Sequence, residues 1–188
     1  MKHILPILTI TTLAAAASAQ SAVASSGLSY NRVAFSRSSK DNMISAQTLV
    51  GSSNVLVGID STSASYSEPQ LTLGYVFKNV YAGVDATVFA TQSQWENTVY
   101  GVTLRRSLSE VVAGLEGSIS YGNVFSKNNA SYFAIGGASN RAEGAWSYEL
   151  AYNVNKQVQV AAGYVHFVKA SGPADSDNQT VVSLRYNF

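Results

Sequence analysis

The chain has 188 residues, no cysteine and a formal net charge of +1, so a disulfide-stapled domain and a strongly basic nucleic-acid-binding protein are both excluded. Its length suggests one domain. Only 12% of the residues are charged, about half the usual share in soluble proteins, whereas the chain contains 11 Tyr and 14 Gly. Low charge with abundant Tyr and Gly is typical of a β-sheet wall that faces lipid.

The first segment has the features of a secretory signal peptide. Lys2 supplies a positive charge, residues 4–17 are apolar and uncharged, and Ala17 and Ala19 fit the small-residue pattern of a cleavage site. The apolar run is shorter than the about 20 residues that a membrane-spanning helix needs. We therefore predict a signal peptide at residues 1–19.

The rest of the chain, residues 25–188, is predicted to be one domain of β-strands, with signal cleavage falling as late as residue 24. Apolar side chains recur at every second position, and small or polar ones lie between them, which is the period of a strand with two unlike faces. In chain order the apolar positions are Val55, Val57, Ile59, Leu71, Leu73, Tyr75, Phe77, Val80, Ala82, Val84, Ala86, Val88, Tyr100, Val102, Leu104, Val111, Ala113, Leu115, Ile119, Tyr121, Trp146, Tyr148, Leu150, Tyr152, Val154, Val158, Val160, Ala162 and Tyr164. Residues 29–37 and 43–50 have a weaker strand-like pattern.

The connections between these strands alternate in length. Short ones are predicted at residues 51–54, 78–79, 106–110 and 155–156, and longer polar ones at residues 62–68, 91–97, 123–144 and 170–178. Bacterial membrane barrels have short periplasmic turns and long external loops. The order predicts about ten strands with both ends in the periplasm. Eight strands result if the first two segments do not join the wall, and twelve only if residues 123–144 supply a further pair.

The last ten residues form the most regular strand. Its apolar row is Thr180, Val182, Leu184, Tyr186 and Phe188, and Ser183, Arg185 and Asn187 lie between them. An apolar row that closes on a terminal aromatic residue resembles the assembly signal of Gram-negative outer-membrane β-barrels. With the repeated hairpins, nearly the whole mature chain resembles the small outer-membrane β-barrel proteins of OmpA-like or opacity-like type.

This resemblance implies an all-β fold, namely an antiparallel up-and-down transmembrane β-barrel in the cell outer membrane. It also implies contact with outer-membrane lipid and lipopolysaccharide, and recognition by the barrel-assembly machinery through Val182, Leu184, Tyr186 and Phe188. It implies no particular activity, because these proteins share architecture more than chemistry. The rival fold is a soluble β-sandwich, in which the terminal strand would be an ordinary edge strand.

On this phasing, the ionisable side chains of the strands point into the barrel lumen. They are Arg32, Asp60, Asp85, Arg105, Glu116, Glu149 and Arg185. An unpaired charge away from water costs several kcal/mol, so we expect these acids and bases to pair as a polar plug in a lumen that side chains fill. The alternative is a selectivity lining for a narrow channel.

The sequence offers little for catalysis or for metal binding. After signal cleavage one histidine remains, His166, which parity places on the outward face with neither a Ser nor a carboxylate beside it. Asp175 and Asp177 lie in a Gly-Pro loop that is more simply a solvated tip than a calcium site. We therefore predict no catalytic residue, no bound metal and no cofactor.

The longest predicted loop, residues 123–144, is the candidate site for an external partner. Phe125, Tyr132, Phe133 and Ile135 lie in it among Asn, Ser and Lys residues. Exposed aromatic side chains beside adaptable polar groups suit binding to a glycan or a host protein. The alternative is that residues 131–139 extend the barrel wall above the membrane.

These patterns together predict a non-enzymatic outer-membrane protein with a structural role, whose surface-exposed loops are adhesive or protective. The alternative is a narrow, porin-like pore or a carrier for small hydrophobic molecules. A lipid-modifying enzyme is the least favoured reading, because only one histidine remains to activate a nucleophile. No nucleic-acid partner is expected from the charge balance.

Overall fold

A computed structural model describes residues 27–63, 69–92, 98–125, 131–168 and 178–188, and the predicted signal peptide lies outside these ranges. The strands in them are β1 (Arg32–Ser38), β2 (Asn42–Leu49), β3 (Val55–Thr62), β4 (Gln70–Tyr81), β5 (Val84–Gln92), β6 (Thr98–Ser107), β7 (Leu115–Phe125), β8 (Ser131–Ile135), β9 (Ala138–Ala142), β10 (Gly144–Asn153), β11 (Val158–Val168) and β12 (Gln179–Asn187). Within the same ranges, no helix is long and apolar enough to cross a membrane.

Ten of the strands form a closed antiparallel barrel in the order β1-β12-β11-β10-β7-β6-β5-β4-β3-β2. The first and last strands close it, with Phe35 opposite Leu184. Because β1 and β2 both belong to the wall, the prediction of ten strands is confirmed and the eight-strand alternative is wrong. The other two strands, β8 and β9, pair only with each other.

The strand registers sort apolar and polar side chains onto opposite faces of the wall. In β12, Leu184 is 56% exposed on the outer face, whereas its neighbour Arg185 is 6% exposed on the inner face. Leu71, Leu104 and Leu150 are likewise exposed on the outer faces of β4, β6 and β10. An apolar surface that surrounds the barrel is unsuited to water and suited to the hydrocarbon of a bilayer.

The turn between β4 and β5 differs from the predicted one. β4 continues past Lys78 and Asn79 to Tyr81, and the chain reverses at Ala82 and Gly83, which have φ angles of 47° and 77°. Asn79, with a φ of 51°, lies where the register shifts, and its Oδ1 accepts a hydrogen bond from Gly83 N at 3.0 Å. The predicted turn at residues 78–79 is wrong because Asn adopts left-handed backbone in a bulge as readily as in a turn.

The connection between β6 and β7 is longer than predicted. β6 ends at Ser107 and β7 begins at Leu115, so Val111 and Ala113 lie in the connection and not in a strand. Apolar residues at alternate positions of a turn imitate the period of a strand, which is why the sequence pattern was misleading here.

The segment predicted as an external loop or a wall extension contains a hairpin that folds into the barrel. We call β8 and β9 the internal hairpin. A Cβ atom added at its tip residue Gly137 would lie 2.6 Å from Ser36 Cβ and 2.8 Å from Val181 Cγ1, both of which belong to inward-facing residues of the wall. Gly137 also has a φ of 90°, so both the backbone conformation and the lack of space require glycine.

The residues just before β1 enter the lumen from its other end. Leu28 and Tyr30 are 1% and 3% exposed, and they pack against Leu49, Leu56 and Val76 near the short turns. The lumen is therefore narrowed at one end by this N-terminal segment and at the other by the internal hairpin.

Candidate functional site in the barrel lumen

The ionisable residues predicted to line the lumen lie on the inner face of the wall. The registers place there Arg32, Asp60, Asp85, Arg105, Glu116, Glu149 and Arg185. Arg105 Nη2 and Glu116 Oε2 form an ion pair at 2.9 Å, and Arg185 forms another with Glu149. The side chains of both pairs are almost wholly buried.

Two amide side chains connect these ion pairs into one network. Asn153 Nδ2 donates a hydrogen bond to Glu116 Oε1 at 2.8 Å. Gln159 Nε2 donates to Asn153 Oδ1 at 3.0 Å, and Gln159 Oε1 accepts from Arg185 Nη1 at 3.1 Å. We call these six residues, which come from β6, β7, β10, β11 and β12, the ion-paired network. Arg185 Nε is buried without a described hydrogen-bond partner, but each charged group of the network has at least one partner. Connected polar networks of this kind make one arrangement of the interior rigid.

The N-terminal segment is bonded to the same part of the lumen through Tyr30. Its hydroxyl donates to Asp85 Oδ2 at 2.7 Å, and Asp85 Oδ1 accepts from Asn79 N at 2.8 Å. Burial raises the pKa of the Tyr30 hydroxyl above its ordinary range; the charge of Arg105 opposes this shift and the bond to Asp85 adds to it. Arg105 also donates to Ser29 O at 3.0 Å and lies 5.0 Å from the centre of the Tyr30 ring.

Arg32 and Asp60 differ from Arg105, Glu116, Glu149 and Arg185 because neither forms an ion pair with a described residue. Arg32 Nη2 donates a long hydrogen bond of 3.4 Å to Gln47 Oε1. Asp60 Oδ1 is buried with no hydrogen-bond partner among the described residues, and so is Oε1 of Gln70, which lies directly opposite on β4. Uncompensated groups of this kind are uncommon inside proteins, because they lose the hydrogen bonds of water.

Two adjoining chambers lie in the lumen beside these charges. The first, of about 170 Å³, is lined by Arg32, Asp60 and Gln47, and we call it the Asp60 chamber. The second, of about 140 Å³, is lined by Glu149 and Arg185, and we call it the Arg185 chamber. The residues that line both are Arg32, Thr103, Arg105, Ile135 and Gly136. The tip of the internal hairpin therefore borders both chambers.

Apolar packing holds the internal hairpin in place. Ile135 and Ala138 are 8% and 0% exposed, and they belong to one buried cluster with Val165, Phe167 and Val181 of the wall. These wall residues lie on the inner faces of β11 and β12. The hairpin is thus fixed against one side of the lumen, and the Asp60 chamber lies between its tip and β1 to β6.

The candidate external binding residues are placed differently from one another. Phe125, the last residue of β7, is 70% exposed. Tyr132 and Phe133 are in β8, but their side chains lie outside the described part of the structure. Ile135 is a correction: it is buried inside the barrel, because the hairpin turns inward, and so it is not available to an external partner.

The remaining candidate sites lie on the outer face or outside the described residues. His166 is exposed on the outer face opposite Trp146, and no described Ser or carboxylate is hydrogen-bonded to it. Asp175 and Asp177 lie outside the described residues, among which no group of three or more His, Cys, Asp or Glu is arranged to hold a metal. Of the terminal row, Val182, Leu184 and Tyr186 face outward; its role in assembly stays a prediction.

A larger hollow of about 710 Å³ lies on the outer surface and is not part of this site. Leu104, Leu108, Ile119 and Leu150 line it, around the small residue Gly117. It is open and apolar, and it lies within the surface that faces lipid, so bilayer hydrocarbon is its natural occupant.

Sequence reasoning missed several parts of the luminal site. The amides Asn153 and Gln159 carried no recognisable signal, because any polar residue suits an inward position. Tyr30 lies in the weakly strand-like residues 29–37, but β1 begins only at Arg32, and the pattern did not indicate that Tyr30 enters the lumen. The internal hairpin did have a signal: Gly136 and Gly137 form a two-residue turn of the kind that joins paired strands.

Comparison with known proteins shows which solved structures have a similar barrel. No family model matches the chain, and no curated protein matches it in sequence. Among solved structures, the KdgM porin superimposes with a TM-score of 0.50 at 9% identity, over 84% of this chain and 99% of that one. The chain has the fold of an outer-membrane β-barrel. With its apolar outer surface, this fold places the chain in the outer membrane.

Two further barrels are similar at lower scores. The NanC porin covers 84% of this chain and 98% of its own, at 12% identity and a TM-score of 0.47. The outer-membrane protein Omp33 of Acinetobacter baumannii covers 86% and 100%, at 12% identity and a TM-score of 0.39. At these identities the similarity concerns the fold alone and does not indicate a solute or a mechanism for this chain.

Proposed function

We propose that this protein is a narrow pore for small polar solutes. The observation that carries the proposal is the pair of adjoining polar chambers inside a closed barrel, bordered by charged side chains and by the tip of the internal hairpin. A wholly structural barrel would be expected to fill its centre with side chains. The fold shared with a porin supports the same choice.

The character of the lining favours polar over hydrophobic solutes. Arg32, Asp60, Thr103 and Arg105 border the chambers, so an apolar solute would displace water from charged groups without replacing its hydrogen bonds. A pore for polar solutes is therefore better supported than a carrier for hydrophobic ones. It is also better supported than the purely structural, loop-presenting role expected from the sequence.

The pore is expected to be narrow because both ends are constricted. The internal hairpin packs against β11 and β12 at one end, and residues 28–31 pack against the inner face of β2 to β4 at the other. A solute must pass beside the hairpin tip and the arginine side chains. We therefore expect low conductance and a small size limit.

Single-channel recording in planar bilayers tests this proposal. The purified protein, checked for folding by its heat-modifiable migration on gels, is expected to give small, stable conductance steps. A variant in which a short Gly-Ser link replaces residues 131–142 is expected to give larger steps, because it removes the constriction. A folded wild-type barrel that gives no steps would overturn the proposal, whatever the shortened variant does.

We also propose partners for the outer surface of the barrel. Its outward apolar row, which includes Val182, Leu184 and Tyr186, is suited to outer-membrane lipid and to the barrel-assembly machinery. The finer resemblance to OmpA-like or opacity-like proteins, and an adhesive role for the loops, stay predictions. Adherence measured with and without the internal hairpin segment is the test of the latter.

A further inference from the structure

We propose that the Asp60 chamber is a binding subsite for a small zwitterion that carries one carboxylate and one ammonium group, as a simple α-amino acid does. The inference rests on the proposed pore, because the solute must reach the chamber through the lumen. It goes further by naming the class of solute.

Charge is distributed unevenly around the chamber. Arg32 and Asp60 both line it, yet they form no ion pair with each other or with any other described residue. Arg105, which also lines it, and Arg185 of the adjoining chamber each have a carboxylate partner. The Asp60 chamber is thus the place where one positive and one negative side chain stay separate, with space beside both.

The chamber is bordered by both a hydrogen-bond acceptor group and a hydrogen-bond donor group. The Asp60 carboxylate lines it, and Asp60 Oδ1 accepts no hydrogen bond from a described residue. An ammonium group has three donors and no acceptor, so it complements a carboxylate that has unused acceptor capacity. The guanidinium of Arg32, which lines the same chamber, is a planar donor group that matches a carboxylate.

The chamber is also small. At about 170 Å³, the chamber is smaller than the roughly 300–1,000 Å³ of pockets that hold drug-sized ligands, so it admits only a small solute. Met43, Leu56 and Phe89 also line it, which gives a short aliphatic side chain an apolar surface to contact. Ile135 and Gly136 of the internal hairpin border it, so a bound solute would lie next to the constriction.

Other solutes of the same size satisfy the chamber less well. A simple anion would pair with Arg32 and leave Asp60 uncompensated, and a simple cation would do the reverse. A neutral solute would compensate neither charge. A zwitterion is the small solute that brings an opposite charge to both, which is the basis for preferring it.

The test compares solutes that differ in charge but little in size. Proteoliposome uptake of L-alanine is measured against lactamide, a neutral molecule of similar size. We expect the wild-type barrel to prefer alanine, with uptake that saturates. Asp60→Asn and Arg32→Gln should each lower the alanine-to-lactamide ratio about tenfold, because a hydrogen bond to a charged group is typically worth a factor of this size.

Glu110→Gln is the matched control, because Glu110 is exposed and pairs with Arg106 away from the lumen. It should leave the ratio unchanged, and Asp60→Glu, which keeps the charge, should largely retain it. All variants are first checked for folding by heat-modifiable migration.

The outcomes separate this inference from the pore proposal. If neither solute enters wild-type vesicles, the pore itself is overturned and the subsite with it. If lactamide enters and alanine is not preferred, or if Asp60→Asn lowers both rates equally, the pore stands and the zwitterion subsite is wrong.

Discussion

The two sides of the lumen use charge in opposite ways. On β6, β7, β10, β11 and β12, the ion-paired network satisfies each charged group with a partner within hydrogen-bond distance. On β1 and β3, Arg32 and Asp60 border an open chamber and form no ion pair with a described residue. Charged residues that share the same inward alternation can therefore stabilise the wall on one side of the lumen and remain available to a solute on the other.

The largest expected effect comes from breaking the ion-paired network. Arg185→Gln leaves Glu149 buried without its cation, which should lower the free energy of unfolding by about 3–5 kcal/mol. Urea unfolding in lipid vesicles, followed by tryptophan fluorescence, measures it. Arg106→Gln is the control: its pair with Glu110 is about half exposed and should contribute less than about 1 kcal/mol. Equal losses in the two variants would mean that the network is not rigidifying.

The second-largest expected loss of stability distinguishes a substitution on the lipid-facing surface from one that faces the lumen. Leu184→Arg puts a cation on the lipid face and should lower the free energy of unfolding by about 2–4 kcal/mol if the position is near the midplane. Ser118→Asn, on the inner face beside the Arg185 chamber, should change it far less. The same unfolding titration measures both, and a luminal loss as large as the outer one would contradict the face assignment.

The internal hairpin provides a smaller effect with a functional readout. Gly137→Ala introduces a Cβ atom 2.6 Å from Ser36 Cβ, so the hairpin must shift, at a cost of about 1–3 kcal/mol from overpacking. Single-channel conductance should rise as the tip moves. Gly83→Ala is a matched control, because Gly83 also has a positive φ but a Cβ there meets nothing within 4 Å. Unchanged conductance in Gly137→Ala would mean that the internal hairpin does not form the constriction.

The smallest expected effect on stability is at Asp60. Asp60→Asn removes a buried charge that has no partner among the described residues, so the free energy of unfolding should fall by less than about 1 kcal/mol or rise. Unfolding titrations of Asp60→Asn and Arg185→Gln compare the change in the free energy of unfolding on the two sides of the lumen. A loss as large as that of Arg185→Gln would mean that Asp60 is structurally bonded in the membrane.

Much of the barrel could be predicted from local pattern. The alternation around Leu73, Val88, Tyr148 and Leu184 assigns each residue to a face without knowledge of its neighbours, because side chains of a strand point alternately to opposite sides. The turn at Gly83 was displaced from its predicted position, since Asn79 suits either a turn or a bulge. Local patterns thus located the strands better than the points where the chain reverses.

The arrangement inside the lumen was less accessible to sequence reasoning. That the charged residues would face inward followed from parity, but not that Arg105 and Arg185 would form ion pairs while Arg32 would not. Which acid meets which base depends on strand register and on neighbours such as Glu149, which lies 36 residues from Arg185. The inward course of the internal hairpin depends on contacts of Ile135 and Gly137 with β1, β11 and β12, which exist only once the barrel has closed.

The two faces of the wall and the membrane environment therefore follow from the order of residues alone, because the contrast between lipid and water acts on every second side chain independently. The choice between eight and ten strands required the closed structure, in which β1 and β2 belong to the wall. The constriction, the division of the lumen into compensated and uncompensated charges, and the chamber between them depend on closure and register. These set distances between residues that no local pattern relates, and a difference of a few ångströms decides whether a charge meets a protein partner or faces a solute.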